Sequence, residues 1–139
     1  MPNDCWNHVT IYASTDMISR LVNAKGRFVE LVSGPPTGVP DHEYYGSDRF
    51  YEWAIDEEGI EALQFRFTSA WAPPIDLFQR MLKELGLDFM KVTWSVEDGI
   101  AGVWVGERTI KEGAEDGFFM QSMHWDEGCI EEKAHRWRK

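Results

Sequence analysis

Residues 62–85, "ALQFRFTSAWAPPIDLFQRMLKEL", carry two incompatible hydrophobic periods in immediate succession. Leu63, Phe65 and Phe67 alternate with Gln64, Arg66 and Thr68, the period of two that a half-buried strand requires. Ile75, Phe78, Met81, Leu82 and Leu85 then recur at the spacing of one helical face, with Gly86 as a stop. Between the two lies Trp71-Ala72-Pro73-Pro74. A residue before proline is pushed out of helical geometry, which ends the strand at Ala72, and Pro74 suits a first helical turn because its missing N–H has no partner there. The stretch is therefore a strand, a sharp corner and a helix packed back on the strand. Trp71, Pro73 and Pro74 are read as structural, with Trp71 plugging the corner; a ligand-binding Trp71 is the alternative.

The rest of the chain supplies the same kinds of element. "WNHVTIYA" (Trp6 to Ala13) alternates, and "STDMISRLVNAKG" has capping residues Ser14 and Thr15, an apolar stripe of Met17, Ile18, Leu21 and Val22, and Gly26 as a stop. "RFVELV" is a brief strand or a helix end. Prolines and glycines break both periods over residues 33–49, a long loop. "FYEWAI" and "EALQFRFTSAW" are strands joined by an acidic turn "DEEG". "DFMKVTWSV" and "IAGVWVG" flank the hairpin signal "EDG", and "FFMQSMHW" is a last strand. The order, β α (β) loop β β α β β β, predicts one α+β domain over residues 1–139, with a basic tail at 133–139. No apolar run approaches the ~20 residues of a membrane span, and the N-terminus lacks a signal pattern, so a cytoplasmic protein with free thiols at Cys5 and Cys129 is expected.

Three motifs occur in order over roughly residues 2 to 108: Asn3-x-Cys5-x-Asn7-x-Val9, Trp71-Ala72-Pro73-Pro74 and Glu97-Asp98-Gly99. Together they resemble the YubB-type ferredoxin-like domain family of phage and conjugative-plasmid proteins. Asp4 stands where that family's pattern has tryptophan, and the spacing of Trp94 before Glu97 is a second departure. The resemblance implies a ferredoxin-like antiparallel sheet with two helices on one face, here with an additional C-terminal hairpin or strand. It also implies a mobile-element origin and a host-cell cytoplasm. It brings no reaction with it, because the fold hosts many functions.

Function is approached through charge. The chain carries 24 acids against 14 bases, and Lys133, Arg136, Arg138 and Lys139 gather four of those bases in the tail. Such a field repels bare phosphate and draws basic partners, although an acidic balance also serves simply to keep a protein soluble. The principal expectation is a non-enzymatic accessory protein that binds a host protein with a basic surface, as a nucleic-acid mimic or inhibitor of host defence. Its acidic rim would be Glu57, Glu58, Glu61, Glu97, Asp98, Glu112, Glu115 and Asp116.

The alternative is single-stranded nucleic-acid binding on an open sheet face through His8, Tyr12, Arg66 and Lys91, where aromatics stand beside cations. A competing view has that face covered by the last strands or a second subunit. A further alternative is zinc held by Cys5, His8, Cys129 and His135, two Cys/His pairs near the chain ends. Asp41-His42-Glu43 in the long loop could hold a proton relay or a metal, which keeps a small metal-dependent enzyme beside the zinc-stabilised domain as an alternative. No nucleophile elbow, phosphate loop or zinc-protease motif is present in the sequence, so neither an enzyme nor a cofactor is expected.

Overall fold

A computed structural model describes residues 4–32, 51–70, 72–97, 99–108 and 117–126. Strand β1 (Asp4–Tyr12) leads into helix α1 (Thr15–Ala24), and a single 3-10 turn follows at Phe28–Leu31. Then come β2 (Tyr51–Glu58), β3 (Ala62–Ala70), helix α2 (Ile75–Glu84), β4 (Phe89–Val96), β5 (Ile100–Arg108) and β6 (Phe118–Asp126). The six strands form one sheet in the order β2-β3-β1-β4-β5-β6, and every adjacent pair is antiparallel. No helix among the described residues is long and apolar enough to cross a membrane.

The local chemistry explains the boundaries. Ser14 caps α1 by accepting the Met17 N–H at 3.3 Å, and Lys25 and Gly26 leave the helix at φ of 51° and 87°. Pro74 is the cap of α2 and not part of its first turn, with the Phe78 N–H bonded to its carbonyl at 3.1 Å. Leu85 ends that helix, one residue before the expected Gly86. Gly86 has φ of 64°, and the Leu87 N–H reaches back to the Leu82 carbonyl at 3.2 Å.

Alternation places Cys5, Asn7, Val9 and Ile11 of β1 on the helix side, opposite Ser69, Phe67, Phe65 and Leu63 of β3. Against these pack Ile18 and Leu21 of α1 and Leu77, Phe78, Met81 and Leu82 of α2, all buried. Each large side chain in such a core contributes about 1.5–3 kcal/mol through burial. Cys5 and Asn7 of the Asn3-x-Cys5-x-Asn7 signature are part of the same core. Asn7 Nδ2 donates to the Cys5 carbonyl (3.2 Å), the Phe67 carbonyl (3.4 Å) and Ser69 Oγ (3.0 Å). Ser69 Oγ donates in turn to the Ala72 carbonyl at 2.8 Å, so the corner before α2 is tied to the centre of the sheet. Trp71, assigned to that corner from sequence, lies outside the described residues, as do the 33–49 loop and the 133–139 tail.

Three expectations need correction. The ferredoxin-like layout is replaced by one strand-rich sheet of six strands, each eight or nine residues long, carrying two ten-residue helices. The physical reason lies in β5, which is an integral part of the core. Trp104 is 1% exposed and its ring centroid sits 5.8 Å from that of Phe78 on α2. Glycines on β5 make this approach possible: a Cβ at Gly106 would stand 2.6 Å from Leu82 Cδ2 and 2.7 Å from the Trp104 ring. Second, "RFVELV" is neither strand nor helix end. Its 3-10 turn buries Phe28 with ring centroids 5.1 Å from Phe65 and 6.0 Å from Phe67. Third, β2 runs through Glu58, so Asp56, Glu57 and Glu58 belong to a strand and the turn falls at residues 59–61.

Candidate functional site

The helices cover one face of the sheet, and among the described residues three depressions lie on the other. Because residues two apart on a strand share a face, Trp6, His8, Thr10 and Tyr12 of β1 point away from the helices. Strand register extends each of them into a row across β4, β5 and β6. Tyr12 aligns with Phe89, Glu107 and Phe119, and Thr10 with Lys91, Val105 and Gln121. His8 aligns with Thr93, Val103 and Met123, and Trp6 with Ser95, Ala101 and Trp125. On the other side of β1, His8 faces Arg66 and then Ala54, while Thr10 faces Gln64 and then Glu57.

From β1 to β6 the face measures about 14 Å from strand to strand, and its central rows are Thr10, Lys91, Val105 and Gln121, then His8, Thr93, Val103 and Met123. Aromatic side chains stand at both of its ends. Trp6, Tyr12, Phe119 and Met123 remain 40%, 49%, 48% and 58% exposed. Three adjoining depressions meet at His8. One of about 400 Å³ is lined by Trp6, His8, Ala54, Arg66 and Thr68, a second by His8, Asp56, Gln64, Lys91 and Thr93, and a third by Trp6, His8, Ser95, Ala101 and Trp125. The last strands do not fold over this face. They lengthen it sideways.

Asp56 organises the polar part of the face. Its carboxylate lies 3.7 Å from Arg66 Nε and 4.0 Å from His8 Nδ1. Of the residues assigned to a nucleic-acid surface, His8, Tyr12, Arg66 and Lys91 do share this face, but Arg66 is already engaged by a carboxylate. Among the described residues the open face carries Asp4, Asp56, Glu57 and Glu107 against Arg66 and Lys91, so it is acidic on balance. Thr68, a polar position in the alternation of β3, is 2% exposed.

The acidic rim is divided between the two ends of the sheet. The Glu61 carbonyl accepts the Ala13 N–H at 3.1 Å, placing Glu57, Glu58 and Glu61 at the C-terminal end of β1. The Glu97 N–H donates to the Asp4 carbonyl at 3.1 Å, at the N-terminal end. Nine residues of strand, about 27 Å, separate them. Asp98, Glu112, Glu115 and Asp116 lie outside the described residues.

The zinc set is divided as well. Cys5 points to the helix side, fully buried beside Asn7 and Ser69, and His8 points to the open side, so the sheet separates them. Burial pushes the Cys5 thiol up from 9.0 to about 11, against a smaller opposing effect of its hydrogen bond with Ser69. That environment suits a structural thiol and not a thiolate ligand. Cys129, His135 and the Asp41-His42-Glu43 cluster lie outside the described residues. Among the described residues no three His, Cys, Asp or Glu side chains converge as a metal site would need.

Comparison with family models, curated proteins and solved structures found no match. Sequence reasoning missed Asp56, Trp6, Trp125, Phe119 and Met123 as parts of the face. Trp6 was accessible from parity alone, since it stands two residues from His8. The β6 residues were not, because their row depends on a register set beyond the undescribed residues 109–116.

Proposed function

We propose that this chain is a non-enzymatic binding module, and that the open face of its sheet docks a protein partner whose contact surface is basic and presents apolar side chains to the aromatic ends of the face. The observation that carries the reading is the mixture on that face: exposed Trp6, Tyr12, Phe119 and Met123 within a surface where carboxylates outnumber cations. These side chains form two apolar groups, Trp6 with Met123 toward one end of the strands and Tyr12 with Phe119 at the other, each offering large apolar surface to a partner. Large aromatic and methionine side chains are enriched in protein interfaces, and complementary charge speeds the encounter.

A phosphate backbone would meet the opposite field. Neutralising several phosphates takes several unpaired cations, and Arg66 is held at Asp56. The partner is thus proposed to approach the sheet face, with the acids on that face, Asp56, Glu57 and Glu107, drawing its basic side chains. The phage or plasmid character suggested by the Asn3-x-Cys5-x-Asn7 and Trp71-Ala72-Pro73-Pro74 motifs fits an accessory protein aimed at a host component.

The test is affinity capture from lysate at low and moderate salt with three baits: wild type, Trp6→Ala/Met123→Ala, and Glu97→Lys. The face variant is expected to lose the partner that wild type and Glu97→Lys both retain. Retention by the face variant with loss by Glu97→Lys would return the site to the strand ends. Retardation of single-stranded oligonucleotides at low salt, weakened by Tyr12→Ala and Lys91→Ala, would replace the protein partner with nucleic acid.

A further inference from the structure

The two edges of the sheet are built differently. At one edge, β2 pairs with β3 through register shifts between Tyr51 and Ala54 and between Ile55 and Glu57, and it carries exposed Asp56, Glu57 and Glu58. Bulges and charges are the devices by which proteins keep an edge strand from pairing with another chain. At the other edge, β6 pairs with β5 without a shift from Ile100–Asp126 to Arg108–Phe118. Its sequence, FFMQSMHWD, holds no lysine, proline or glycine, and its single carboxylate is at the last position. A regular nine-residue edge with exposed Phe119 and Met123 is a template for a further strand.

We infer that β6 pairs antiparallel with β6 of a second copy of this chain, joining two sheets into one of twelve strands about a twofold axis at Ser122. The self-pairing is chemically consistent at full overlap. Phe119 falls opposite the partner's Trp125 and Gln121 opposite the partner's Met123 on the open face. Met120 falls opposite the partner's His124 on the other face, Ser122 meets its own counterpart, and no like charges are opposed. By symmetry the Phe119–Trp125 pair occurs twice, and aromatic cross-strand pairs are among the stabilising ones. Two chains of net charge −10 repel, so association should strengthen as salt screens that repulsion, opposite to a contact made by ion pairs. The dimer is independent of the partner reading above, and it would make the two open faces continuous.

The test is sedimentation of the full chain across the micromolar range. The expected result is a mass that rises from one chain to two with concentration and rises further with added salt. Ser122 is exposed in the single chain, so Ser122→Lys leaves the fold intact by circular dichroism while placing two lysines opposite each other. It should weaken association by roughly fivefold or more. In a Cys129→Ser background, Ser122→Cys should form an intermolecular disulfide on mild oxidation and Phe119→Cys should not, because only the axial position meets itself. A chain that stays single at every concentration, a dimer indifferent to Ser122→Lys, or cross-linking through position 119 and not 122 would each overturn the inference.

Discussion

Replacing Gly102 with alanine probes the join between the core and the strand that completes the binding face. A Cβ there would lie 2.4 and 2.6 Å from the Trp94 ring and 2.7 Å from the Met123 carbonyl oxygen. Carbon atoms normally approach to ~3.5–4.0 Å, so the structure must open by about 1 Å. The Trp94 ring can tilt, but the Met123 carbonyl belongs to β6 and moves only if β6 moves. Overpacking of this kind costs about 1–3 kcal/mol, and removing a glycine from a strand returns roughly 0.5–1 kcal/mol of backbone entropy. The net expectation for Gly102→Ala is a loss centred on about 1 kcal/mol and reaching at most about 2.5 kcal/mol, read as a lower urea midpoint at unchanged slope. Trp94→Leu in the same chain separates the two obstacles. Restored stability relative to Trp94→Leu alone would assign the strain to the ring, and continued loss would assign it to the β5–β6 pairing. A midpoint that Gly102→Ala leaves unmoved or raises would refute the close approach of β5, Trp94 and β6.

Leu82→Ala should lose about 2–5 kcal/mol in the same assay, because Leu82 is fully buried and its removal leaves a cavity under Gly106 of β5. Cys5 gives an alkaline signature. With its pKa raised from 9.0 to about 11, the folded chain holds a proton that the unfolded chain has already lost between those values, so stability is full below pH 9 and falls as pH rises toward 11, by up to about 2–3 kcal/mol. Cys5→Ala should flatten the urea midpoint over that window relative to wild type, and identical profiles for the two proteins would contradict the burial of the thiol.

The fold was legible where a single strand or helix carries its own period. Leu63, Phe65 and Phe67 against Gln64, Arg66 and Thr68 gave the two faces of β3, and the stripe Phe78, Met81, Leu82 gave the buried side of α2. What escaped depended on partners distant in sequence. Glu57 and Glu58 look like turn residues in "DEEG", yet β3 extends the ladder to pair with them. The core role of Trp104 rests on Gly106 of β5 lying against Leu82 of α2, a fact of register and not of local pattern. The acidic rim joined residues that are close in character but at opposite ends of β1, since composition carries no direction along a strand. The pairing of Asp56 with Arg66 and His8 depends on a bulge in β2, which no period announces.

The central claim is that partners meet the open face of the sheet, and a photo-reactive residue placed at single positions tests it most directly. Thr93 lies exposed at the centre of that face, Ser19 lies exposed on α1 behind the sheet, and Glu97 lies at a strand end. Illumination of each variant in lysate, followed by mass spectrometry of the adducts, should give a protein adduct from position 93 and none from position 19, with the position 93 adduct competed away by excess unlabelled wild-type chain. An adduct from position 19 or 97 with none from position 93 would contradict the account.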